Sequence, residues 1–341
     1  MKRKILLLSA LSVFALFTAC DYERPELLPV HNKHVDPEVP ITPVVPTDVP
    51  TALEFDALHT AALENLTQQF TFDGAAGSVT FTSQKGVVLT INTSCLTKNG
   101  NPVTGDVQLE YIEIFNRGNM LTTNKSTMGV MPNGDKALLI SGGEFYINAT
   151  QGGVQLTMSC GINLKVPATL TGAEDNAMSL WFGDIDEDGN IAWNDAVGDN
   201  PNQEVGVGAD GGSYYCYFNH FGWTNVDRFY SDPRPKTTIY VDVPEGYDDT
   251  NSAVYLAYVG ETNALALLDK YDAATGLFTE HYGLIPIGLE CYVIFVSEHD
   301  GEWTYAIKAV TIVEGEIITI TDAELDSITE AELIAAIDAL P

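Results

Sequence analysis

Between residues 78 and 166 apolar and polar side chains alternate in short runs, the period of two that a strand with one buried face requires. Residues 78–82, 87–91, 107–115, 144–148, 154–158 and 162–166 are therefore expected strands, with Asn99-Gly100-Asn101-Pro102, Asn133-Gly134-Asp135 and Gly152-Gly153 as turns between them. Gly142-Gly143, ahead of an alternating run, suits a bulge or a close approach of backbones. The pattern breaks at Asp232-Pro233-Arg234-Pro235 and resumes at residues 237–243, 253–259, 291–297, 303–310 and 317–320. Helical spacing shows in two places. Leu58, Ala62 and Leu66 share one face of residues 56–66, with Asp56 as N-cap, and Leu333, Ala336, Ile337 and Leu340 share another near the C-terminus. Thr321 with Glu324 and Thr329 with Glu332 each have the spacing of a capping box. The expected fold is all-β: two antiparallel β-sandwich modules, 55–231 and 232–341, with a short N-terminal helix and a C-terminal helix.

The first 54 residues follow neither period. Lys2, Arg3 and Lys4 precede an apolar stretch, 5–17, that ends in Thr18-Ala19 and then Cys20. The stretch is too short to span a bilayer comfortably and has the layout of an export signal. With a cysteine directly after the small pair it resembles the bacterial lipoprotein signal, although Phe17 stands where Leu is usual. That resemblance implies removal of residues 1–19 and acylation of Cys20, so that the chain partners a membrane through its lipid anchor. Several acyl chains make a durable anchor where one is marginal. The alternative is an ordinary secretory signal cleaved near the same place. Residues 20–54 carry Pro25, Pro29, Pro37, Pro40, Pro43, Pro46 and Pro50 among Val, Asp, Glu and Thr, the composition of an extended spacer. Asp21 and Glu23 would be an outward export cue in some bacteria, and an Asp at that place retains lipoproteins at the inner membrane in others. His31 and His34 lie in this irregular segment and are read as solvated.

Charge narrows the partners. The chain has 16 Lys+Arg against 47 Asp+Glu, and loss of the three signal cations takes the formal charge from −31 to −34. Phosphate backbones and anionic head groups are repelled, so nucleic acid is not an expected partner. Outside the cytoplasm disulfides can persist. Cys95, Cys160, Cys216 and Cys291 allow three pairings, and the candidate bridge is Cys95 with Cys160, which both end strands of the first module. The plainer reading, buried free thiols serving as small apolar side chains, comes ahead of it.

One stretch has the spacing of a cation loop. Asp184, Asp186 and Asp188 alternate ahead of Gly189 and Asn190, and Asp195 stands where an EF-hand carries its bidentate Glu. Hard oxygen ligands so arranged can wrap a structural calcium; no other cofactor is expected. The flanks read as strands rather than helices and Asp195 is short for a bidentate grip, so a solvated acidic hairpin is the first reading. His220, among Phe218, Phe221 and Trp223, is read as a packed histidine, since no Ser or Cys motif nearby supplies a nucleophile.

Residues 70–73, 84–91, 100–107, 119–125, 141–151 and 219–227, which include Ser141-Gly142-Gly143-Glu144-Phe145-Tyr146 and Asn219-His220-Phe221-Gly222-Trp223, resemble in order a group of Bacteroidota surface lipoproteins with a ZU5-like β-sandwich. Leu284-Ile285-Pro286-Ile287-Gly288 is similar to a turn of carboxypeptidase-regulatory-like and other Ig-like modules. Asp326-Ser327-Ile328 resembles the short O-glycosylation motif of the same bacteria, with Ser327 as acceptor. These resemblances imply an outer-membrane, surface-facing location and carry over no catalytic residue. The patterns G-x-S-x-G, H-E-x-x-H and the P-loop are absent from the chain. The expectation is a non-enzymatic lipoprotein presenting a binding or structural module to a protein or glycan. The alternatives are a glycan-binding component of an uptake system, with Trp181, Trp193, Trp223 or Trp303 stacking on sugars, and a fimbrial or adhesion subunit.

Overall fold

The computed structural model describes residues 49–187, 189–196, 206–280 and 282–341. The expected signal peptide, Cys20 and all but the last residues of the proline-rich spacer lie outside the described residues.

Among the described residues the chain is all-β with three short α-helices. The first, α1 (Ala52–Leu66), starts before the expected position. Thr51, not Asp56, caps it: Thr51 Oγ1 accepts from the Glu54 amide at 3.3 Å while the Glu54 carboxylate accepts from the Thr51 amide at 2.8 Å. This reciprocal pair satisfies two otherwise orphaned donors, which Asp56 cannot do from inside the first turns.

The largest sheet runs Gln68–Asp73, Asp106–Ile114, Lys136–Gln151, Gly222–Phe229, Ser179–Ile185, Ile191–Asp195 and Met128–Val130. Met128–Val130 also pairs back onto the start of Lys136–Gln151, so five of these strands close a ring. One ladder of the ring is interrupted at the glycine pair. Asn225 stands opposite Glu144 and Asp227 opposite Ser141, so Gly142 and Gly143 together face Val226 in a β-bulge. Gly143 has φ +134°, and a Cβ on it would meet the Phe115 ring at 2.6 Å. The second sheet runs Gly206–Asp210, Ser213–Phe218, Ile162–Pro167, Val88–Asn92 and Ser78–Thr82. Between the two sheets lies a core that includes Leu89, Ile91, Leu109, Phe145, Leu164 and Phe218.

Beyond residue 235 the sheet Ala266–Leu267, Ser252–Tyr258, Glu290–His299, Glu302–Thr311 and Asp326–Ile328 faces a smaller one of Lys270–Asp272, Leu277–Thr279, Tyr240–Asp242 and Ile317–Thr319. Among the described residues pairing departs from purely antiparallel in two places, Tyr240–Asp242 with Ile317–Thr319 and Trp193 with Gly129. A parallel neighbour needs a long crossover, and the first of these encloses nearly the whole second module.

The described residues belong to one compact unit, and the two expected modules share a hydrophobic core. Leu139, Trp181 and Trp193 of the first belong to the same cluster as Val254, Phe295 and Ile337 of the second. Two helices tighten the junction. The first, α2 (Arg117–Thr122), is capped by the Asn116 side chain, and α3 (Glu330–Asp338) opens on the Thr329–Glu332 capping box. Both Leu333 and Ile337 of α3 are buried. The two helices touch where Gly118 leaves room: a Cβ there would lie 2.8 Å from Ile334 Cα. Arg117, fully buried, donates from Nη2 to the Leu340 carbonyl at 2.5 Å, and the Gly118 amide donates to Asp338 Oδ1 at 2.9 Å.

Candidate ligand-binding cavity

The sequence candidates are placed as follows. Cys95 and Cys160 form a disulfide with Cα atoms 5.6 Å apart, while Cys216 and Cys291 are free and buried. Burial pushes the Cys291 thiol up to about 12 and raises Cys216 further still, so neither is a ready thiolate. Ser327 is exposed on an edge strand, its hydroxyl 3.3 Å from that of Thr304.

The acidic stretch is a β-hairpin rather than a wrapping loop. Asp184 pairs with Ala192 and Ile185 with Ile191 across the ladder, and Asp195 lies opposite Trp181. Asp184 and Asp195 thus sit three ladder positions apart, about 10 Å along the strands. Asp186 Oδ1 accepts from the Asn190 amide at 2.9 Å, and Asp184 Oδ2 from Asn194 Nδ2 at 3.0 Å. Asn190 turns its side chain to Asn124 Nδ2 at 3.1 Å. Among the described residues no group of three or more His, Cys, Asp or Glu comes together as metal ligands; Asp188 lies outside them.

His220 packs edge-on against Phe182, ring centroids 3.9 Å apart, and burial lowers its pKa. All four tryptophans are core residues, Trp223 being the most exposed at 7%. None of them offers a face to a sugar.

Two features escape any reading of the sequence. The first is a buried polar network at the bulge. Ser141, Glu144, Asn225 and Asp227 are wholly buried, and Lys125 nearly so. Ser141 Oγ donates to Asn225 Oδ1 at 3.0 Å and Asn225 Nδ2 to Asp227 Oδ2 at 2.5 Å. Both Glu144 oxygens and Asp227 Oδ1 lack a hydrogen-bond partner among the described residues. Burial first, and for Glu144 then its neighbour Asp227, holds both carboxyls well above the usual range. Burial draws Lys125 down to about 8 against the pull of Glu144. The network is sealed from solvent.

The second is a cavity of about 460 Å³ where the modules meet. Strand ends position its walls: Met128 and Leu138 from the closed ring, Phe229 and Tyr230 from the strand that leaves it, Leu256 and Tyr258 from the second module. Leu267, Leu268, Leu284 and Ile285 complete an apolar lining, and exposed Pro132 and Ser231 mark the rim. The volume is that of a small-molecule pocket, and apolar walls with a few fixed polar groups are the usual form of one.

Its polar groups are few. Lys136 Nζ lies 3.0 Å from Asp269 Oδ2. Lys236 donates to the Asp232 carbonyl at 2.6 Å and stands 3.7 Å from its carboxylate, which Arg234 grips and holds far below the usual carboxylate range. Tyr230 donates to Asp232 Oδ2 at 3.1 Å and Tyr282 to Asp269 Oδ2 at 2.7 Å. Glu280, 4% exposed, accepts at Oε2 from the amides of Tyr282 at 2.7 Å and Gly283 at 2.8 Å. Its Oε1 has no hydrogen-bond partner among the described residues, and burial raises its pKa.

Compared with protein-family models the chain matches none, and it matches no curated protein.

Proposed function

We propose that this chain is a lipid-anchored protein of the bacterial envelope, tethered through Cys20 on a proline-rich spacer, and that its two-module body is a non-catalytic binding unit for a small, largely apolar molecule. The observation that carries the reading is the apolar cavity at the junction of the modules. Its walls come from both modules, and a shared core fixes their relative placement, so the site is preorganised and its ligand need pay little to order it. On the acidic hairpin Asp186 accepts from the Asn190 amide and Asp184 from the Asn194 side chain; any structural calcium there would brace the turn, outside the binding reading. The buried tryptophans give the glycan-binding alternative no stacking platform.

A neutral apolar dye such as Nile red tests the cavity. Wild-type protein is expected to bind it with one-to-one stoichiometry, and Leu267→Trp, which fills the space, to lose the binding. Absence of binding, or binding indifferent to the substitution, overturns the reading. The anchor is tested separately: Cys20→Ala should leave the detergent-dependent envelope fraction, and its retention there would remove the lipid tether.

A further inference from the structure

The polar groups of this cavity differ in one respect that specifies a ligand. Lys136 is answered within the wall by Asp269 at 3.0 Å, and Lys236 by the Asp232 carbonyl at 2.6 Å. Tyr230 donates to Asp232, Tyr282 donates to Asp269, and Glu280 accepts from two backbone amides. Tyr258 is the exception. It lines the cavity and is only 4% exposed, yet its hydroxyl makes no hydrogen bond among the described residues. That oxygen keeps accessible surface, unlike the sealed carboxyl oxygens of Glu144 in the bulge network. Three of the four groups whose fields reach it, Tyr230, Glu280 and Asp232, line the same space, and the fourth is buried Cys291. The hydroxyl therefore opens on the cavity. Burial raises its pKa, so it stays protonated and is a donor at neutral pH. A buried donor left without a partner costs free energy that an acceptor on a ligand recovers.

The surroundings select the acceptor. A carboxylate head would lie unpaired beside Glu280 and Asp232, and a formal charge of −31 on the whole chain repels anions before they arrive. An ammonium or hydroxyl head brings hydrogens of its own, and the carboxylates near Tyr258 are already engaged, Asp232 by Arg234 and Tyr230, Glu280 by its two amides. A carbonyl oxygen accepts and has nothing to donate. The remaining wall, which includes Leu256, Leu267 and Ile285, suits a hydrocarbon body.

From the unpartnered Tyr258 hydroxyl in an otherwise self-satisfied, largely apolar chamber, we infer that the cavity takes a neutral aliphatic carbonyl compound, a ketone or an ester. Its hydrocarbon tail lies against the leucines and its carbonyl oxygen accepts from Tyr258. This inference rests on the cavity being the binding site and adds the chemistry of its occupant.

Four compounds share a pentyl tail and differ in the head: 2-heptanone, 2-heptanol, hexanoate and 2-methyl-1-heptene, in which a methylene replaces the ketone oxygen. Titration calorimetry on the full chain at neutral pH and physiological salt separates them. The ketone is expected to bind about threefold or more tightly than the alcohol and about tenfold or more tightly than hexanoate. Tyr258→Phe keeps the ring and removes the donor. It should weaken the ketone by about threefold or more and leave the alkene within about twofold, a split that a merely structural hydroxyl would not produce. Alcohol or hexanoate equal to or tighter than the ketone overturns the inference on the wild-type protein alone, whatever the folding of the variant. If the alkene binds and the ketone responds to Tyr258→Phe no more than the alkene does, the cavity stands and its head-group chemistry fails; if none of the compounds binds, both fail.

Discussion

Ser141 and Asn263 hold the two modules together by exchanging bonds: the Ser141 amide donates to the Asn263 carbonyl at 3.1 Å, and Asn263 Nδ2 donates back to the Ser141 carbonyl. Both residues are buried, Ser141 completely. Thr127 and Leu265 repeat the arrangement nearby, with the Thr127 amide bonded to the Leu265 carbonyl at 3.0 Å and the Leu265 amide to Thr127 Oγ1 at 2.9 Å. Such strand-like pairing between segments so far apart in sequence makes the junction part of the fold rather than a contact between finished domains.

Asn263→Ala removes the side-chain donor and leaves a buried carbonyl short of a partner. A loss of about 1–3 kcal/mol is expected in urea unfolding. Because the core is shared, the transition should remain single with an unchanged slope. Two resolved transitions would show that the modules unfold separately.

Gly118→Ala tests the docking of α2 against α3. The added methyl falls 2.8 Å from both the Cα and the carbonyl oxygen of Ile334, atoms that move only if the helix moves. Overpacking of this kind costs about 1–3 kcal/mol. Thermal melts should show the variant below wild type, and Gly118→Ser no better; a midpoint equal to wild type would mean that the C-terminal helix is free to shift.

The disulfide closes a loop of 65 residues, for which chain entropy assigns about 4 kcal/mol of stabilisation. Cys95→Ser with Cys160→Ser should therefore lower the denaturation midpoint by more than either helix-junction variant. Reductant should have the same effect on wild type and none on the double variant. An unchanged midpoint would mean that the bond is absent from the protein in solution.

Much of this fold was legible because one-sided burial writes itself as alternation. Val88–Asn92 and Ile162–Pro167 bury every second residue, and both stand out as strands. The start of α1 was not legible, since its capping pair, Thr51 and Glu54, sits at the end of a proline-rich stretch that carries no period. Strands of two or three residues, such as Ala266–Leu267 and Leu277–Thr279, are too short to show any periodicity. The cavity was invisible for another reason. Leu138, Tyr258, Leu267 and Glu280 look like ordinary strand residues one at a time, and only the packing of the two modules brings them to one space. The signal available was a glutamate among apolar residues, Phe278-Thr279-Glu280, where alternation demanded burial.

Chelation should leave the protein unmoved. Asp186 is already bonded to the Asn190 amide and Asp184 to Asn194, and the Asp195 carboxylate lies about three residues further along the ladder. A melting scan with and without EDTA is expected to give one midpoint, and a downward shift on chelation would return a structural calcium to the hairpin.

Two buried groups, His59 and Glu144, act in opposite directions on the pH dependence of stability. Burial lowers the His59 pKa to about 4, its Nδ1 donating to the Thr122 carbonyl at 2.8 Å, whereas an unfolded histidine titrates near about 6.5. Between those values the unfolded chain binds more protons, so stability falls as pH drops from about 6.5 to about 4, by up to about 3 kcal/mol. Glu144 acts in the other direction. Its folded pKa lies above the unfolded value of about 4.3, so the folded chain keeps a proton the unfolded one has released, and stability falls as pH rises through that window. Glu144→Gln keeps the shape and removes one ionisation: it should raise stability at pH 7 and make the profile above about pH 5 shallower, the remaining slope there belonging to Asp227, whose buried carboxyl is likewise held up, and the acid limb to His59. His59→Gln should do the reverse, flattening the limb between about pH 4 and 6.5. Denaturant unfolding of the three proteins from pH 4 to 8 reads both slopes, and a Glu144→Gln profile that parallels wild type would show that Lys125 keeps the carboxylate ionised in the fold.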